Sequence, residues 1–350
     1  MVSFQHRLSA GLKARNVNVC CDLADAPYQA VLVIGGTRHL GGLWRARKRG
    51  IPIVQRLDGM NWLHRLRGVR GSGLRHFLRA EYGNLALRLI RARLASYVVY
   101  QSHFVHRWWE RTHGATPVPS KVIHNGVDLN IYTPNGPGAP PQDRWRILMV
   151  EGNLMGGYEQ GLLTAVQFVQ RLAFHLAEPP HRHLLATPLR PSPPRLELMI
   201  VGRLASALRE HCESRLAGGE YSSNVSFTWA GQVPEERIPE IDRSAHLLYS
   251  ADLNPACPNS VIEAMACGLP VISFDTGALP ELVVGDAGRV VPYGGNPWRL
   301  DQPNVDALAR TAVEMLSDLK RFRRAARTRA EAAFGLDNMV GAYLDILLDS

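Results

Sequence analysis

Glu263 stands about one turn inside a short helix, where a carboxylate either accepts hydrogen bonds from sugar hydroxyls or meets solvent. Its surroundings, Pro255 to Val284, read PACPNSVIEAMACGLPVISFDTGALPELVV. Asn259 or Ser260 is placed to cap that helix, because a short side-chain oxygen accepts from an orphan backbone N–H. Small residues follow (Ala264, Ala266, Cys267), and Gly268 ends the helix where a left-handed turn costs little. Leu269 to Phe274 is an apolar run fit for a buried parallel strand. The loop 275–280 holds Gly277 and Pro280, and Glu281 opens the next helix. A helix N-terminus aimed into a cleft binds anions through free N–H groups and its dipole.

Other residues with chemistry lie at strand ends. Arg56 and Asp58 sit in RLDGMNW, after a strand candidate at 51–55. A loop at the carboxyl end of a parallel strand is where α/β proteins bind ligands. Asp58 there is either a ligand-facing acceptor or half of an Asp-Gly turn. EGNLMGGYEQG follows the strand 146–150, and Gly152, Gly156 and Gly157 can offer backbone N–H groups to phosphate as a nest. Arg203 ends the strand LELMIVG, facing either an anionic ligand or solvent. His181 and His183 are two histidines without a third ligand in range, too few for a metal site, and no Asp-x-Asp motif occurs. Neither a metal nor a resident cofactor is expected.

These positions need a scaffold, and the chain supplies alternating strands and helices. The helix 1–16 carries Phe4, Leu8 and Leu12 on one face; strand candidates follow at Val17–Leu23, Ala30–Ile34, Ile51–Gln55, Tyr97–Gln101 and Lys121–Asn125. Further strands fall at 146–150, at LELMIVG, around Gly231 in NVSFTWAGQVP, and at HLLYSAD. Such alternation argues for parallel α/β sheets. PNGPGAPP at 134–141 reads as an interdomain linker, 178–195 as an exposed insertion, and Val305 to Leu348 as two helices broken near Phe334-Gly335. The expected division is 1–139 and 140–334, with 335–350 a final helix packing back on the first domain.

The bulk properties fit a globular protein of about two domains. Hydrophobic residues make up 46% and charged residues 20%, and no apolar run is long enough to span a bilayer. No secretory leader opens the chain, and five cysteines without metal or framework spacing favour a reduced, cytoplasmic setting. The net charge of +9 favours anionic partners. Nine arginines against two acids give residues 56–93 a net charge of +7, beside an apolar stripe of Leu74, Leu78, Leu85 and Leu89 with Phe77 next to it. That stripe either rests 65–93 on an anionic membrane or faces the core with a solvated basic back. Charge allows nucleic-acid binding, but no recognition motif supports it, and none is expected.

NSVIEAMACGLPVISFDTGALPELV closely resembles the nucleotide-sugar-binding segment of the retaining glycosyltransferases of family four (glycosyl transferases group 1). HNGVDLNIYTP, with Asn125 and Gly126, strongly resembles the segment that closes the family's amino-terminal domain beside the cleft. The likeness is strong at 122–134 and 259–284 and weaker elsewhere. It implies a GT-B fold, two Rossmann-like domains facing across a cleft. The family's first strand and glycine-rich loop are missing before the opening helix, so the start lies downstream of the usual one or that strand is lost.

The resemblance also implies roles. Glu263 matches the family's ribose-binding glutamate, the amides of Asn259, Ser260 and Val261 lie near diphosphate or sugar, and Gly231 lies where backbone groups meet the base. A nucleotide sugar would be the co-substrate. Several positions depart from the family. Asp58 stands where a histidine often contacts the donor sugar. Asn153 stands where an arginine, and Gln160 or a neighbour in this longer loop where a lysine, neutralises the diphosphate. Pro255 stands eight positions before Glu263, where a first glutamate contacts the transferred sugar. CPNSVIEA reads as a subgroup trait.

The expectation is therefore a metal-independent, retaining glycosyltransferase. Arg56, Asn125 and Gly126 lie on the acceptor or cleft side. Gly152, Asn153, Arg203, Gly231 and 259–263 lie on the donor side. A glycan or lipid-linked molecule is the acceptor, and the setting is the cytoplasm or the inner membrane face. The alternatives are a catalytically degenerate GT-B protein that binds a ligand or partner, and a GT-B sugar-nucleotide epimerase.

Overall fold

A computed structural model describes residues 2–66, 73–154, 159–178, 194–218 and 222–349. His181, His183, Gly156 and Gly157 lie outside the described residues. The chain forms two units: Met1–Asp128 with Phe334–Ser350, and Leu129–Ala333.

The first unit contains α1 (Val2–Lys13), β1 (Val31–Ile34), α2 (Leu40–Lys48), β2 (Ile53–Leu57), α3 (Leu74–Leu89), β3 (Tyr97–Tyr100), α4 (His103–His113) and β4 (Ser120–Val122). Its four described strands are parallel, in the order β1-β2-β3-β4. Every residue of β2 is buried, as expected of a central parallel strand covered on both faces. On one face Phe4, Leu8 and Leu12, spaced one helical turn apart, meet Val340 and Tyr343 of the last helix, Leu336–Asp349. Phe4 and Tyr343 set their rings 5.3 Å apart. The other face is closed by Val33, Leu43, Ile53, Ile90 and Leu94.

One expectation fails in this unit, and one of two open readings does. Val17–Leu23 is not a strand. The chain leaves α1 through Asn16, in the left-handed region at φ 60°, and the Val17 N–H donates back to the Leu12 carbonyl. Val17 and Val19 then pack against the α1 cluster, where a ladder partner is not at hand. The stripe on α3 does not face the core. Leu74 is 73% exposed, Leu78 57% and Leu85 60%, and Phe77, Tyr82 and Leu89 are exposed too. α3 is held by buried Ala86 and Leu87 together with polar bonds: the Asn84 amide bonds both backbone groups of Asn61, and Glu81 accepts from Arg65 and pairs with His64.

The second unit contains β5 (Arg144–Asn153), α5 (Glu159–Ala177), β6 (Arg195–Arg203), α6 (Ser206–Ala217), β7 (Val225–Gly231), α7 (Ile238–Arg243) and β8 (Leu247–Tyr249). It continues with α8 (Asn259–Ala266), β9 (Val271–Phe274), α9 (Leu279–Leu282), β10 (Gly288–Val291), α10 (Val305–Ser317) and α11 (Leu319–Ala333). The final helix, Leu336–Asp349, is α12. Six parallel strands run β10-β9-β8-β5-β6-β7, the doubly wound order. Leu162, Phe168 and Leu172 of α5 and Leu308 and Ala312 of α10 belong to its large core. The segment 129–139 is tied to this unit: Arg243 donates to the carbonyls of Thr133 and Pro137, and Arg327 to those of Leu129 and Tyr132.

The tail departs from its expected two helices. Asp318 leaves helical geometry (φ −133°, ψ 51°) and separates α10 from α11, so three helices end the chain.

Candidate functional site

In a doubly wound sheet the strand order reverses at one place, and the loops there diverge to opposite faces and leave a crevice at the carboxyl ends. Here that place lies between β5 and β8. The end of β5 carries Glu151, Gly152 and Asn153, and its register against β6 slips between Val150 and Asn153. The slip is an irregularity at a strand end, of the kind that re-aims side chains near sites. Gly202 of β6 sits across from it at φ 147°, and a Cβ there would collide with the Glu151 carbonyl. Asn153 pairs with Arg203 across the two strands, and the Leu154 N–H donates to the Arg203 carbonyl (2.9 Å). Gly231 ends β7 beside Val201, at φ 66°. Gly152, Asn153, Arg203 and Gly231 thus share one edge, with the Arg203 side chain exposed.

Glu151 and Asp252 are the residues that sequence reasoning missed. Glu151 accepts a hydrogen bond from the Ala251 N–H, so its carboxyl spans from β5 to the end of β8. Asp252 follows directly. Burial, then the Asp252 charge, pushes the Glu151 carboxyl well above its ordinary range. Burial likewise raises Asp252, to about 6. The signal in the sequence was the acid directly before Gly152 and a second acid in SAD, both at strand ends.

The central motif lies on the next loop. Pro258, extended at ψ 123°, precedes α8, which begins at Asn259; no side chain caps it. The expected cap at Asn259 or Ser260 is therefore not made, because these two residues are already inside the first turn. Val261 is buried, while Asn259 and Ser260 are half-buried. Glu263 is buried within α8 at 7% exposure, and burial first, then the Glu263 charge, raises the carboxyl of Asp242 on α7. The loop before α8 is fastened to the loop before α9: the Ala278 N–H donates to the Pro255 carbonyl (2.9 Å), and Gly277, at φ 59°, leaves no room for a Cβ against Pro255. Gln160 lies one residue into α5, half-buried.

In the first unit Arg56 and Asn125 meet. Both are buried, and the guanidinium donates to the Asn125 Oδ1 at 2.6 Å while stacking 3.6 Å over the Phe4 ring. Asp58 is half-buried; burial raises its carboxyl and the Arg56 charge opposes that. Its carbonyl accepts from the Trp109 indole (2.9 Å). A Cβ on Gly126 would stand 2.9 Å from the Leu336 backbone, and Val127 exchanges hydrogen bonds with Phe334 and Leu336. Gly126 therefore serves the seating of α12. No group of three or more histidine, cysteine or acidic residues able to hold a metal ion occurs among the described residues.

Residues 182–318 match the family model described as glycosyl transferases group 1. The O-antigen chain mannosyltransferase B of Escherichia coli is 32% identical over 90 residues, 26% of this chain and 21% of that one. The chain spans between 21% and 55% of the length of the three curated relatives it matches. Among solved structures, the sucrose-phosphate synthase of Thermosynechococcus elongatus superposes with a TM-score of 0.65 at 17% identity, covering 99% of this chain and 79% of that one. The Anabaena HepE protein in complex with UDP gives 0.64 at 16% identity, covering 98% and 82%. The fold is GT-B, and the segment 182–318 is similar to the group 1 glycosyltransferases.

Proposed function

We propose that this GT-B relative of the group 1 glycosyltransferases moves a sugar from a nucleotide-sugar donor to an acceptor hydroxyl, with retention of configuration. The observation that carries the reading is the carboxyl edge of the six-stranded sheet. There Asn153, Arg203 and Gly231 end neighbouring strands, and the α8 motif with Glu263 follows β8. The related Anabaena fold was solved with UDP. In this reading Glu263 accepts the ribose hydroxyls, and the first-turn amides of 259–261 face diphosphate or sugar. Arg203 supplies the cation that Asn153 and Gln160 do not. Support of the departing diphosphate by prearranged donors is then the main source of rate, with no obligatory metal. The acceptor belongs to glycan, glycolipid or cell-surface polysaccharide synthesis, reached from the cytoplasmic side of a membrane.

A catalytically inactive, ligand-binding GT-B protein is the second reading, favoured by Pro255 and Asn153. The two separate by turnover. The full chain is incubated with UDP-, GDP- and ADP-sugars and a panel of saccharide acceptors, and nucleoside diphosphate release is followed. Release with one donor, reduced tenfold or more in Arg203→Ala, supports the transferase. Donor binding without release from any pair supports the inactive reading.

A further inference from the structure

α11 carries six cations, and four of them are spoken for. Arg321 pairs with the carboxylates of Asp286 and Asp318, and Arg323 donates to the Ala245 carbonyl. Arg327 donates to backbone carbonyls and to Glu331, and Arg329 donates to the carbonyls of Glu281 and Leu282. Lys320 and Arg324 are different. Both are exposed, and neither makes a hydrogen bond or ion pair with any described residue. They stand one turn apart, and Thr328 follows one turn later, so the three form a row along one face of the helix.

That row borders a cavity of about 720 Å³ between α11 and residues 284–287. Its floor is small and apolar, with Ala325 and Ala332 from the helix and Ala287 opposite. Asp286, the acid on its rim, is already engaged by Arg289 and Arg321. Like charges one turn apart on a helix oppose its formation. Here they are kept without an acid to relieve them, at the mouth of a cavity with a hydroxyl beside them.

We infer that this cavity is a binding site for a phosphate ester, with Lys320 and Arg324 on the phosphate, Thr328 donating to it, and the alanine floor under an apolar part of the ligand. It lies entirely within the second unit. Arg329 ties its wall to α9, which follows the loop fastened to Pro255. The same chemistry is offered by a soluble phosphate ester and by a phospholipid headgroup.

The test uses the full chain and its Lys320→Ala/Arg324→Ala double variant. Binding of glycerol 1-phosphate is read by calorimetry. Co-sedimentation is read with phosphatidylcholine vesicles with and without phosphatidylglycerol. The double variant should fold with a melting temperature no lower than wild type, since it removes a like-charge pair. Loss of glycerol 1-phosphate affinity by tenfold or more in the variant supports a soluble ester. A loss confined to anionic vesicles supports the headgroup; comparing variant with wild type cancels any contribution of α3. Equal behaviour of the two proteins toward both probes, or binding of neither by wild type, overturns the inference. Arg203→Ala, outside this cavity, should bind the phosphate ester as wild type does. Parallel loss there would assign the affinity to the donor edge instead.

Discussion

Glu151 and Asp252 place two carboxyls side by side at the switch point, each partly removed from water. Burial and mutual repulsion both favour the protonated forms in the folded chain. Folded-state values above the unfolded ones mean stability that is complete below about pH 4 and lost as pH rises through about 6. Asp252→Asn removes one charge of the pair. Denaturant titrations from about pH 4 to pH 7 should show wild type losing about 1–3 kcal/mol that the variant keeps. Parallel pH profiles for the two proteins would contradict the pairing. In the first unit, the buried guanidinium of Arg56 is engaged by Asn125 and Phe4, so those residues tie their segments together. Asp58 is the group there that is both half-buried and raised.

The elements were readable to the degree that their pattern had one physical reading. Continuous apolar runs such as Val271–Phe274 became buried parallel strands, since both faces are covered. Phe4, Leu8 and Leu12 at one-turn spacing became a packed helix face. Val17–Leu23 failed because a strand exists only with a neighbour, and tertiary packing took its valines instead. The expected α8 cap failed because the N-cap position falls on Pro258, whose ring offers no acceptor, and Asn259 and Ser260 are already in the first turn. Glu151 was missed because an irregular strand end depends on the register of β6, which no local pattern encodes. The α3 stripe had two readings, and only burial separates them. Its leucines point to solvent between Arg75, Arg79 and Arg88, with Glu81 the one acid on the helix. No described helix is long and apolar enough to cross a membrane, so contact would be through a face. A basic helix with an exposed apolar face suits the surface of an anionic bilayer. The full chain should sediment with phosphatidylglycerol vesicles at low salt, and Leu78→Glu/Leu85→Glu should reduce that at least tenfold. No sedimentation of wild type at low salt would end this assignment.

At the scale of the molecule, two parallel sheets carry the chain, and α12 returns from the second unit to complete the core of the first. The net charge of +9 favours anionic partners. One architecture hosts many activities, so function must be settled at the site and not by the fold. The site claim rests on Glu263 and the carboxyl edge of the second sheet. The most direct test is a calorimetric and thermal-shift panel of UDP, GDP, ADP and their sugars, on wild type and Glu263→Ala in parallel. One nucleotide should stabilise wild type, and its affinity should fall at least tenfold in the variant, a loss of about 1.4 kcal/mol or more. Binding of no nucleotide by a folded wild-type chain, or equal binding by both proteins, would contradict a donor site built on that glutamate.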